Sequence, residues 1–231
     1  MLLRVGNVSA TTSIRPAVPG LEAALLYFVC DRRPGGRPLS DVLLAALRGG
    51  VDVFQLRDKH ANDEEILESA AEARALCAAG GALFIVNDRP DLAVAAGADG
   101  VHVGQDDTPV ADARAVVGAE RIVGRSTHEP AHLAACAGAD YVAVGPVHAT
   151  PTKPGRPAAG IEYVRHAAAH APTGVPWFAI GGIDATNVRS IAAAGARRIV
   201  VVRAIAEAAD PEAVARELRT AIAEEALVGT P

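Results

Sequence analysis

The stretch VFQLRDK, residues 53–59, begins as a β-strand and ends among charged residues. Alternate side chains of a strand project to the same face, so Gln55, Arg57 and Lys59 are expected together, with the apolar side chains on the opposite face. If helices cover the apolar face, the polar face points into the middle of the fold. A fold places an amide and two cations there only when they have partners, so the pattern predicts a binding site. An edge strand with a solvated polar face is the alternative.

Composition indicates one well-packed domain that binds neither nucleic acid nor membrane. The chain has 231 residues, of which 50% are hydrophobic and 3% aromatic, which suffices for a single buried core. Its net charge of −5 argues against non-specific nucleic-acid binding, which needs a basic excess. No apolar run approaches the roughly 18 residues of a membrane span.

The cysteines and the N-terminal residues favour a cytoplasmic location. Cys30, Cys77 and Cys136 are odd in number and widely separated, unlike the paired cysteines of zinc or redox motifs. We expect reduced thiols that pack as small hydrophobic side chains. Residues 1–20 contain no sustained apolar region, so a secretory signal peptide is not expected.

A local pattern recurs along the chain: a glycine, a short polar step and a β-prone run. It starts at Gly50, Gly97, Gly138 and Gly195, at intervals of 47, 41 and 57 residues, or about two strand–helix units each. The glycine suits a helix C-cap, and the run suits a strand buried on both faces. Roughly eight such units predict an α/β fold, a single (β/α)8 TIM barrel. An open doubly wound sheet is the alternative, but no Gly-x-Gly-x-x-Gly follows the first strand.

The predicted elements follow from this repeat. We predict strands near 25–30, 52–57, 82–86, 99–103, 121–124, 140–144, 176–180 and 198–202. We predict helices near 39–49, 63–79, 90–97, 109–117, 129–138, 160–170, 186–195 and 210–226. The barrel domain would then span 21–226, between a loosely ordered arm over 1–20 and a tail over 227–231.

Two aspartates follow neighbouring predicted strands and form a candidate metal site. Asp88 and Asp107 would lie about 5 Å apart, the spacing of strands in a sheet. Carboxylate oxygens without supporting Cys or His ligands suit Mg²⁺ rather than zinc. The alternative is that each aspartate caps the helix that starts at the following proline, Pro90 or Pro109. The nearby cations of the second strand favour the metal site.

The cations are expected to meet the metal at the carboxyl ends of the strands, where such barrels carry their active sites. Arg57, Lys59 and Lys153 come from loops that the barrel brings to one rim, and with Mg²⁺ they would bind a polyanion such as pyrophosphate. Lys153 lies in a Pro- and Gly-rich segment, residues 150–160, which we interpret as a lid. A solvated loop lysine is the alternative. Further polar contacts are expected from Gln55, Asn87 and Ser126.

A second anion site is predicted after the seventh strand. Gly181-Gly182 follows an apolar run, and the loops after strands 7 and 8 usually bind a monophosphate in these barrels. A tight turn is the alternative. Two anion sites, one with Mg²⁺, predict a transfer between two phosphorylated ligands with release of pyrophosphate. Ser126 has no His–Asp arrangement that would make it a nucleophile, and the site lining includes His102, His128 and His148.

Six motifs resemble those of the thiamine-phosphate synthase family and occur in the family's order. They are QLRDK (55–59), ND (87–88), VHVGQDD (101–107), GRS (124–126), GP with TPTK (145–153) and AIGGI (179–183). The similarity covers roughly residues 25–220. It implies a (β/α)8 barrel that uses Mg²⁺ to couple 4-amino-2-methyl-5-hydroxymethylpyrimidine diphosphate with a thiazole phosphate. It also implies that pyrophosphate leaves first and that the thiazole nitrogen attacks the resulting pyrimidine cation.

The resemblance also implies roles for individual residues. The pyrimidine diphosphate would be held by Gln55, Arg57, Lys59, Asn87, Ser126 and Lys153. Mg²⁺ would be held by Asp88 and Asp107, and the thiazole phosphate by Thr150, Thr152 and Gly182. The expected catalytic set is Arg57, Lys59, Ser126 and Lys153, acting mainly by electrostatic support of the departing charge.

One position departs from the family pattern. A small residue, often Ser, usually follows strand 8, where this chain has Val202 and Arg203. Backbone N–H contacts to a phosphate would survive this change, so we keep both residues as substrate-binding candidates.

Two other functions compete with the synthase. One is a paralogous thiazole tautomerase on the same barrel, which has no use for a pyrophosphate site. The other is a noncatalytic sensor of a thiazole or thiamine phosphate. The complete charged set favours the synthase: Arg57, Lys59, Asp88, Asp107 and Lys153. The expected partners are small-molecule substrates, and the sequence is compatible with a homo-oligomer.

Overall fold

The computed structural model of the chain describes residues 20–150 and 157–228, and the strands within these ranges close into a parallel barrel. Each strand pairs with its neighbours in sequence, and β1 (Leu26–Cys30) closes the ring by pairing with β8 (Ile199–Val201). The predicted (β/α)8 barrel is confirmed. Because the ring of described strands is closed, both the edge strand and the open sheet are excluded.

The remaining strands are β2 (Val53–Leu56), β3 (Leu83–Asn87), β4 (Gly100–Val103), β5 (Ile122–Thr127), β6 (Tyr141–Val144) and β7 (Trp177–Ile180). The helices are α1 (Leu39–Arg48), α2 (Asp63–Gly80), α3 (Pro90–Ala95), α4 (Val110–Val117), α5 (Pro130–Ala134), α6 (Gly160–His170), α7 (Val188–Ala193), α8 (Arg203–Ala206) and α9 (Pro211–Val228). Within the described ranges, none of these helices has the length and apolar character needed to cross a membrane. The arm predicted over 1–20 and the tail predicted over 227–231 lie mostly outside those ranges and stay predictions.

One predicted boundary was wrong and one helix was missed, and both matter for the site. β5 runs to Thr127 rather than ending at 124, because parallel pairing with β6 continues through Ser126 and Thr127. The Thr127 hydroxyl also donates to the Ala143 carbonyl at 3.0 Å, which satisfies a polar side chain inside the sheet. After β8, a short helix that we did not predict, α8, begins at Arg203.

The acidic step of the sequence repeat has a structural cause. Asp52 Oδ2 accepts hydrogen bonds from two backbone N–H groups at the start of β1, at 2.8 and 3.0 Å. Asp99 Oδ2 accepts one from β3, and Asp140 Oδ2 accepts one from β5, both at 2.7 Å. Each aspartate precedes a strand and satisfies a backbone donor of the strand before it. The aspartates of the repeat therefore join neighbouring strands at the amino end of the barrel.

Side chains alternate between the barrel interior and the helix layer. In β2, Val53 packs in the interior, whereas Phe54 and Leu56 pack under the helices. Gln55 points inward and is only 4% exposed. The orientation predicted for this strand is therefore confirmed: Phe54 and Leu56 pack under the helices, and Gln55 faces the barrel interior.

An aromatic cluster fills the middle of the barrel. Tyr27, Tyr141 and Phe178 pack edge to face, with ring centroids 5.6–5.8 Å apart. The Tyr141 ring occupies space that a side chain at Gly124 would need, because a Cβ there would lie 2.1 Å from the ring. Gly124 is therefore required for packing, although its own backbone is ordinary strand.

We expect Gly124→Ala to lower the free energy of unfolding by about 1–3 kcal/mol, because the barrel interior cannot expand to admit the methyl group. Urea denaturation measures this loss. The control is Gly80→Ala at the end of α2, where a Cβ would meet Leu47 at 3.4 Å. That variant is expected to be as stable as the parent or slightly more stable. Equal stability of Gly124→Ala and the parent would contradict the packing argument.

All three cysteines lie within the described residues as buried free thiols. Burial raises the pKa of all three thiols, that of Cys77 to about 12. Such thiols are poor nucleophiles at neutral pH. They pack as small hydrophobic side chains, as predicted, and the cytoplasmic location that they favour stays a prediction.

Candidate active site

Two adjoining cavities open at the carboxyl end of the barrel. The smaller has a volume of about 80 Å³, and its lining includes Gln55, Arg57, Lys59, Asn87, Asp88, His102, Asp107 and Ser126. The larger has a volume of about 420 Å³, and its lining includes Ser126, His128, Thr150, Gly181, Gly182, Val202 and Arg203. Both cavities are lined by Ser126, Ile180, Val200 and Val202. Among the described residues, those predicted for two ligands are thus divided between two neighbouring spaces, with Ser126 at the junction.

The polar residues of the 53–59 stretch run from the interior to the rim. Gln55 is buried, Arg57 is half-buried and the Lys59 side chain is 48% exposed. The chain turns directly after Lys59, because Asp58 Oδ1 accepts hydrogen bonds from the N–H groups of His60 and Ala61, at 3.0 and 3.2 Å. Lys59 Nζ donates to Asp88 Oδ2 across the smaller cavity. Two cations and an amide are therefore presented to the same space, as predicted.

Neither predicted metal ligand is a helix cap. The residue at the cap position of α3 is Arg89, and that of α4 is Pro109. Asp107 Oδ2 instead accepts a hydrogen bond from the Gly104 N–H at 2.9 Å, within its own loop. The capping alternative is excluded for both aspartates, because their carboxylates point to the smaller cavity.

Asp88 is held in an unusual backbone conformation. Its φ is 60°, in the left-handed region that costs a residue other than glycine roughly 1–2 kcal/mol. The Asp88 N–H donates to the His102 carbonyl at 2.8 Å, which fixes this turn against β4. Strain of this kind persists where the surrounding structure enforces it, often at functional sites.

The electrostatics of the two carboxylates fit a divalent cation. Partial removal from water, then hydrogen bonding and repulsion with Asp88, raise the pKa of Asp107, while the Gly104 N–H and Lys59 oppose this rise. Two carboxylates in contact repel each other when both are ionised, and a hard cation removes that penalty. No third His, Cys, Asp or Glu joins them within the described residues. Mg²⁺ bound here would take its other ligands from substrate oxygens and water, as is common for this ion.

Ser126 and Asn87 lie on strands rather than in loops. Ser126 is 6% exposed and faces the interior of β5, so our prediction that it lies past the strand was wrong. Asn87 is the last residue of β3 and lines the smaller cavity. A serine on a strand is held more rigidly than one in a loop, so its hydroxyl has a well-defined position between the cavities.

The glycine pair after β7 shapes the larger cavity. Gly181 and Gly182 have φ values of 110° and 64°, which favour glycine. A Cβ on Gly181 would lie 2.5 Å from Pro146, and one on Gly182 would lie 2.8 Å from the Cβ of His148. The loop after β6 therefore packs directly on this turn. The tight-turn alternative is correct, and the same turn also lines the larger cavity.

The end of β8 completes the larger cavity. Val202 lines both cavities, and Arg203, which is exposed, lines the larger one at the first residue of α8. Thr150 lines this cavity as well. Thr152 and Lys153 lie in residues 151–156, outside the described residues, so their predicted roles and the lid stay predictions.

Sequence reasoning missed the polar interior beneath the two cavities. Tyr27 and Tyr141 were not singled out, and His102 was taken as lining only, yet all three are buried in the barrel interior. Their inward positions on β1, β4 and β6 could have been read from strand alternation. Of the other histidines, His128 contacts the Gly145 carbonyl through Nδ1 at 2.6 Å, and His148 is exposed.

Comparison with known proteins gives matches over nearly the whole barrel. A family model described as thiamine monophosphate synthase matches residues 26–205. A thiamine-phosphate synthase from Saccharopolyspora erythraea is 53% identical over 211 residues, covering 87% of this chain and 93% of the relative. One from Thermosynechococcus vestitus is 51% identical over 200 residues and covers 86% of this chain, which spans only 56% of that relative's length.

A solved structure agrees with these matches. The thiamine phosphate pyrophosphorylase from Pyrococcus furiosus superposes with a TM-score of 0.79 at 32% identity, covering 87% of this chain and 96% of that one. The residues matched by the family model extend from β1 into α8, and so contain the lining of the smaller cavity and most of the lining of the larger one. The resemblance drawn from six motifs is confirmed, and the chain belongs to the thiamine monophosphate synthase family.

Proposed function

We propose that this transferase couples 4-amino-2-methyl-5-hydroxymethylpyrimidine diphosphate with a thiazole phosphate, giving thiamine phosphate and pyrophosphate in a Mg²⁺-dependent reaction. The pair of adjoining cavities is the observation that carries the proposal. The smaller combines cations with two contacting carboxylates, and the larger is shaped by a glycine turn. A reaction that joins two phosphorylated molecules needs two such spaces side by side.

The smaller cavity would hold the pyrimidine diphosphate. Arg57 and Lys59 would bind its terminal oxygens with charge-assisted hydrogen bonds. Asp88 and Asp107 would hold Mg²⁺, which when bound neutralises charge on the leaving diphosphate. Ser126 would donate a hydrogen bond at the junction of the cavities, where the bond to the leaving oxygen breaks. Lys153 stays a predicted contributor to the same group.

The larger cavity would hold the thiazole phosphate. Backbone N–H groups of the Gly181-Gly182 turn and of the Val202-Arg203 segment would bind the phosphate, and Thr150 also lines this cavity. The thiazole nitrogen would then face the smaller cavity through the shared lining residues. Departure of pyrophosphate followed by attack of this nitrogen requires only electrostatic support and alignment from the protein.

One experiment tests this function against its alternatives. Purified protein is mixed with both substrates, with and without Mg²⁺, and thiamine phosphate and pyrophosphate are measured. A synthase forms both products in equal amounts and only with the metal. A tautomerase would convert a thiazole phosphate without releasing pyrophosphate, and a sensor would form neither product. Neither alternative accounts for two cations and two carboxylates in one cavity, so neither is favoured.

We expect Arg203→Ser to change the KM for the thiazole phosphate by less than about tenfold, or 1.4 kcal/mol. The reason is that Arg203 is exposed at the rim, while backbone groups of the same segment stay in place. Steady-state kinetics with the thiazole phosphate varied measures the change. A collapse of activity would show instead that the guanidinium carries much of the phosphate binding.

A further inference from the structure

A chain of hydrogen bonds crosses the barrel interior along the wall of the smaller cavity. Gln55 Nε2 donates to Tyr27 Oη at 2.5 Å, and Tyr27 Oη lies 2.8 Å from Tyr141 Oη. Tyr141 Oη lies 3.0 Å from His102 Nδ1, and His102 Nε2 lies 2.9 Å from Ser126 Oγ. The five residues come from five different strands, and none is more than 7% exposed. This hydrogen-bond chain therefore connects two predicted substrate contacts, Gln55 and Ser126. The three residues between them have no role in the proposed function.

The hydroxyl groups in this chain are not needed for packing. Phe178 packs edge to face against both tyrosine rings, at 5.6 and 5.7 Å, without a hydroxyl group. A buried hydroxyl needs a hydrogen-bond partner, whereas phenylalanine at positions 27 and 141 would fill the same space without that requirement. The polar groups therefore point to a use beyond stability.

The hydrogen-bond chain can run in either of two directions, each consistent along its whole length. Burial raises the pKa of Tyr27 and Tyr141, so each phenol keeps its one proton to donate. A neutral imidazole has one donor and one acceptor nitrogen. In the direction that starts from the Gln55 Nε2 donor, the Tyr27 hydroxyl donates to Tyr141 and the Tyr141 hydroxyl donates to His102 Nδ1. His102 Nε2–H then donates to Ser126 Oγ, which leaves the serine proton for the cavity.

We propose that Tyr27, Tyr141 and His102 are positioning residues that lock the hydrogen-bonding directions of Gln55 and Ser126 together. In the direction described, Gln55 presents its carbonyl oxygen to an exocyclic amine of the pyrimidine, and Ser126 presents its O–H to an oxygen of the diphosphate. This inference rests on the proposed function for the identity of the ligand.

The reverse direction gives a mismatched site. Gln55 would then present its NH₂ group to the amine, and Ser126 would present a lone pair to an anion. Both contacts would be repulsive. The hydrogen-bond chain thus links the selection of an aminopyrimidine to the support of the leaving group, although the two ends lie on different strands.

Tyr141→Phe tests this coupling, because it interrupts the hydrogen-bond chain while keeping the ring. Gln55 can then turn its amide, so the variant should accept an analogue with oxygen in place of the exocyclic amine. We expect the ratio of kcat/KM for the amino substrate to kcat/KM for the oxo analogue to fall at least tenfold. Tyr27→Phe breaks the same chain next to Gln55 and should lower the ratio similarly. A purely structural role would lower both values of kcat/KM together and leave the ratio unchanged.

The matched control is Tyr163→Phe. Tyr163 is 5% exposed, and its hydroxyl donates to the Glu129 carbonyl at 2.9 Å, outside the hydrogen-bond chain. This variant should keep the parent's ratio. An active parent whose ratio is unchanged in both Tyr27→Phe and Tyr141→Phe would overturn the inference alone. An inactive parent would overturn the proposed function and this inference with it. If Tyr141→Phe does not fold, Tyr27→Phe decides the question by itself.

Discussion

Asp107→Asn is expected to reduce turnover about 10³-fold, the largest effect that we predict for a single substitution. The variant keeps the shape of the side chain but removes one of the two carboxylates proposed to hold Mg²⁺. Stabilisation of developing charge by a metal is worth several kcal/mol, and each 1.4 kcal/mol is roughly a factor of ten in rate. Steady-state turnover measured over a range of Mg²⁺ concentrations should show saturation moved to higher concentration as well as a lower maximum.

The stability of Asp107→Asn provides the internal control. The pKa of Asp107 is raised above 3.8 in the folded protein, so its ionised form disfavours folding at neutral pH. The unfavourable contribution of Asp107 to the free energy of folding diminishes as the pH falls through the raised pKa. Without metal, the variant should therefore match or exceed the parent's unfolding temperature at pH 7, and this difference should shrink toward pH 4. Lost activity together with lost stability would mean that the substitution acts through the fold.

Asp106→Asn is the matched variant for this experiment. Asp106 is exposed next to Asp107 but is not among the described residues that line either cavity. It should keep turnover within about twofold of the parent, as expected for a surface substitution. Equal loss in both variants would contradict the assignment of Asp107 as a metal ligand.

Arg57→Met is expected to lower kcat/KM for the pyrimidine diphosphate about 10²-fold. The substitution keeps an unbranched side chain of similar length and removes two charge-assisted hydrogen bonds, together worth about 3 kcal/mol. Arg57 lines the smaller cavity and is not among the described residues that line the larger one. The KM for the thiazole phosphate should therefore change little. This split between the two substrates is the measurement that checks the division of the site.

Arg33→Met is the control for Arg57→Met. Arg33 is an exposed arginine in the loop after β1, where its guanidinium approaches the Gly36 carbonyl at 3.5 Å. Removing it tests the general loss of a positive charge near the rim, and we expect kcat/KM to stay within about twofold. An increase in the thiazole phosphate KM caused by Arg57→Met would contradict the assignment of Arg57 to the diphosphate.

Residues whose environment is set by their own strand could be predicted correctly. Gln55 faces the interior because alternation along β2 leaves it no other side, given apolar neighbours that pack under helices. Asp88 and Asp107 meet because they follow strands that are adjacent in a parallel barrel, where all carboxyl ends lie at one rim. The orientation of Gln55 and the proximity of the two aspartates both follow from the spacing of residues along the sequence.

Residues whose role depends on contacts from distant strands could not be predicted in this way. Ser126 belongs to β5 because β6 continues to pair with it, and its own neighbours, Arg125 and Thr127, are polar. Gly124 is required by a ring that comes from Tyr141. Neither partner is marked in the local sequence.

The amino-acid sequence was therefore enough to establish the (β/α)8 barrel, the order of its strands, the family and the charged groups at one rim. Each of these follows from periodicity and from motifs that are short and contiguous. The hydrogen-bond chain from Gln55 to Ser126 became visible only after folding, because it joins side chains up to 114 residues apart. The direction of the hydrogen-bond chain depends on all of its hydrogen bonds together, and no single strand contributes more than one of its residues.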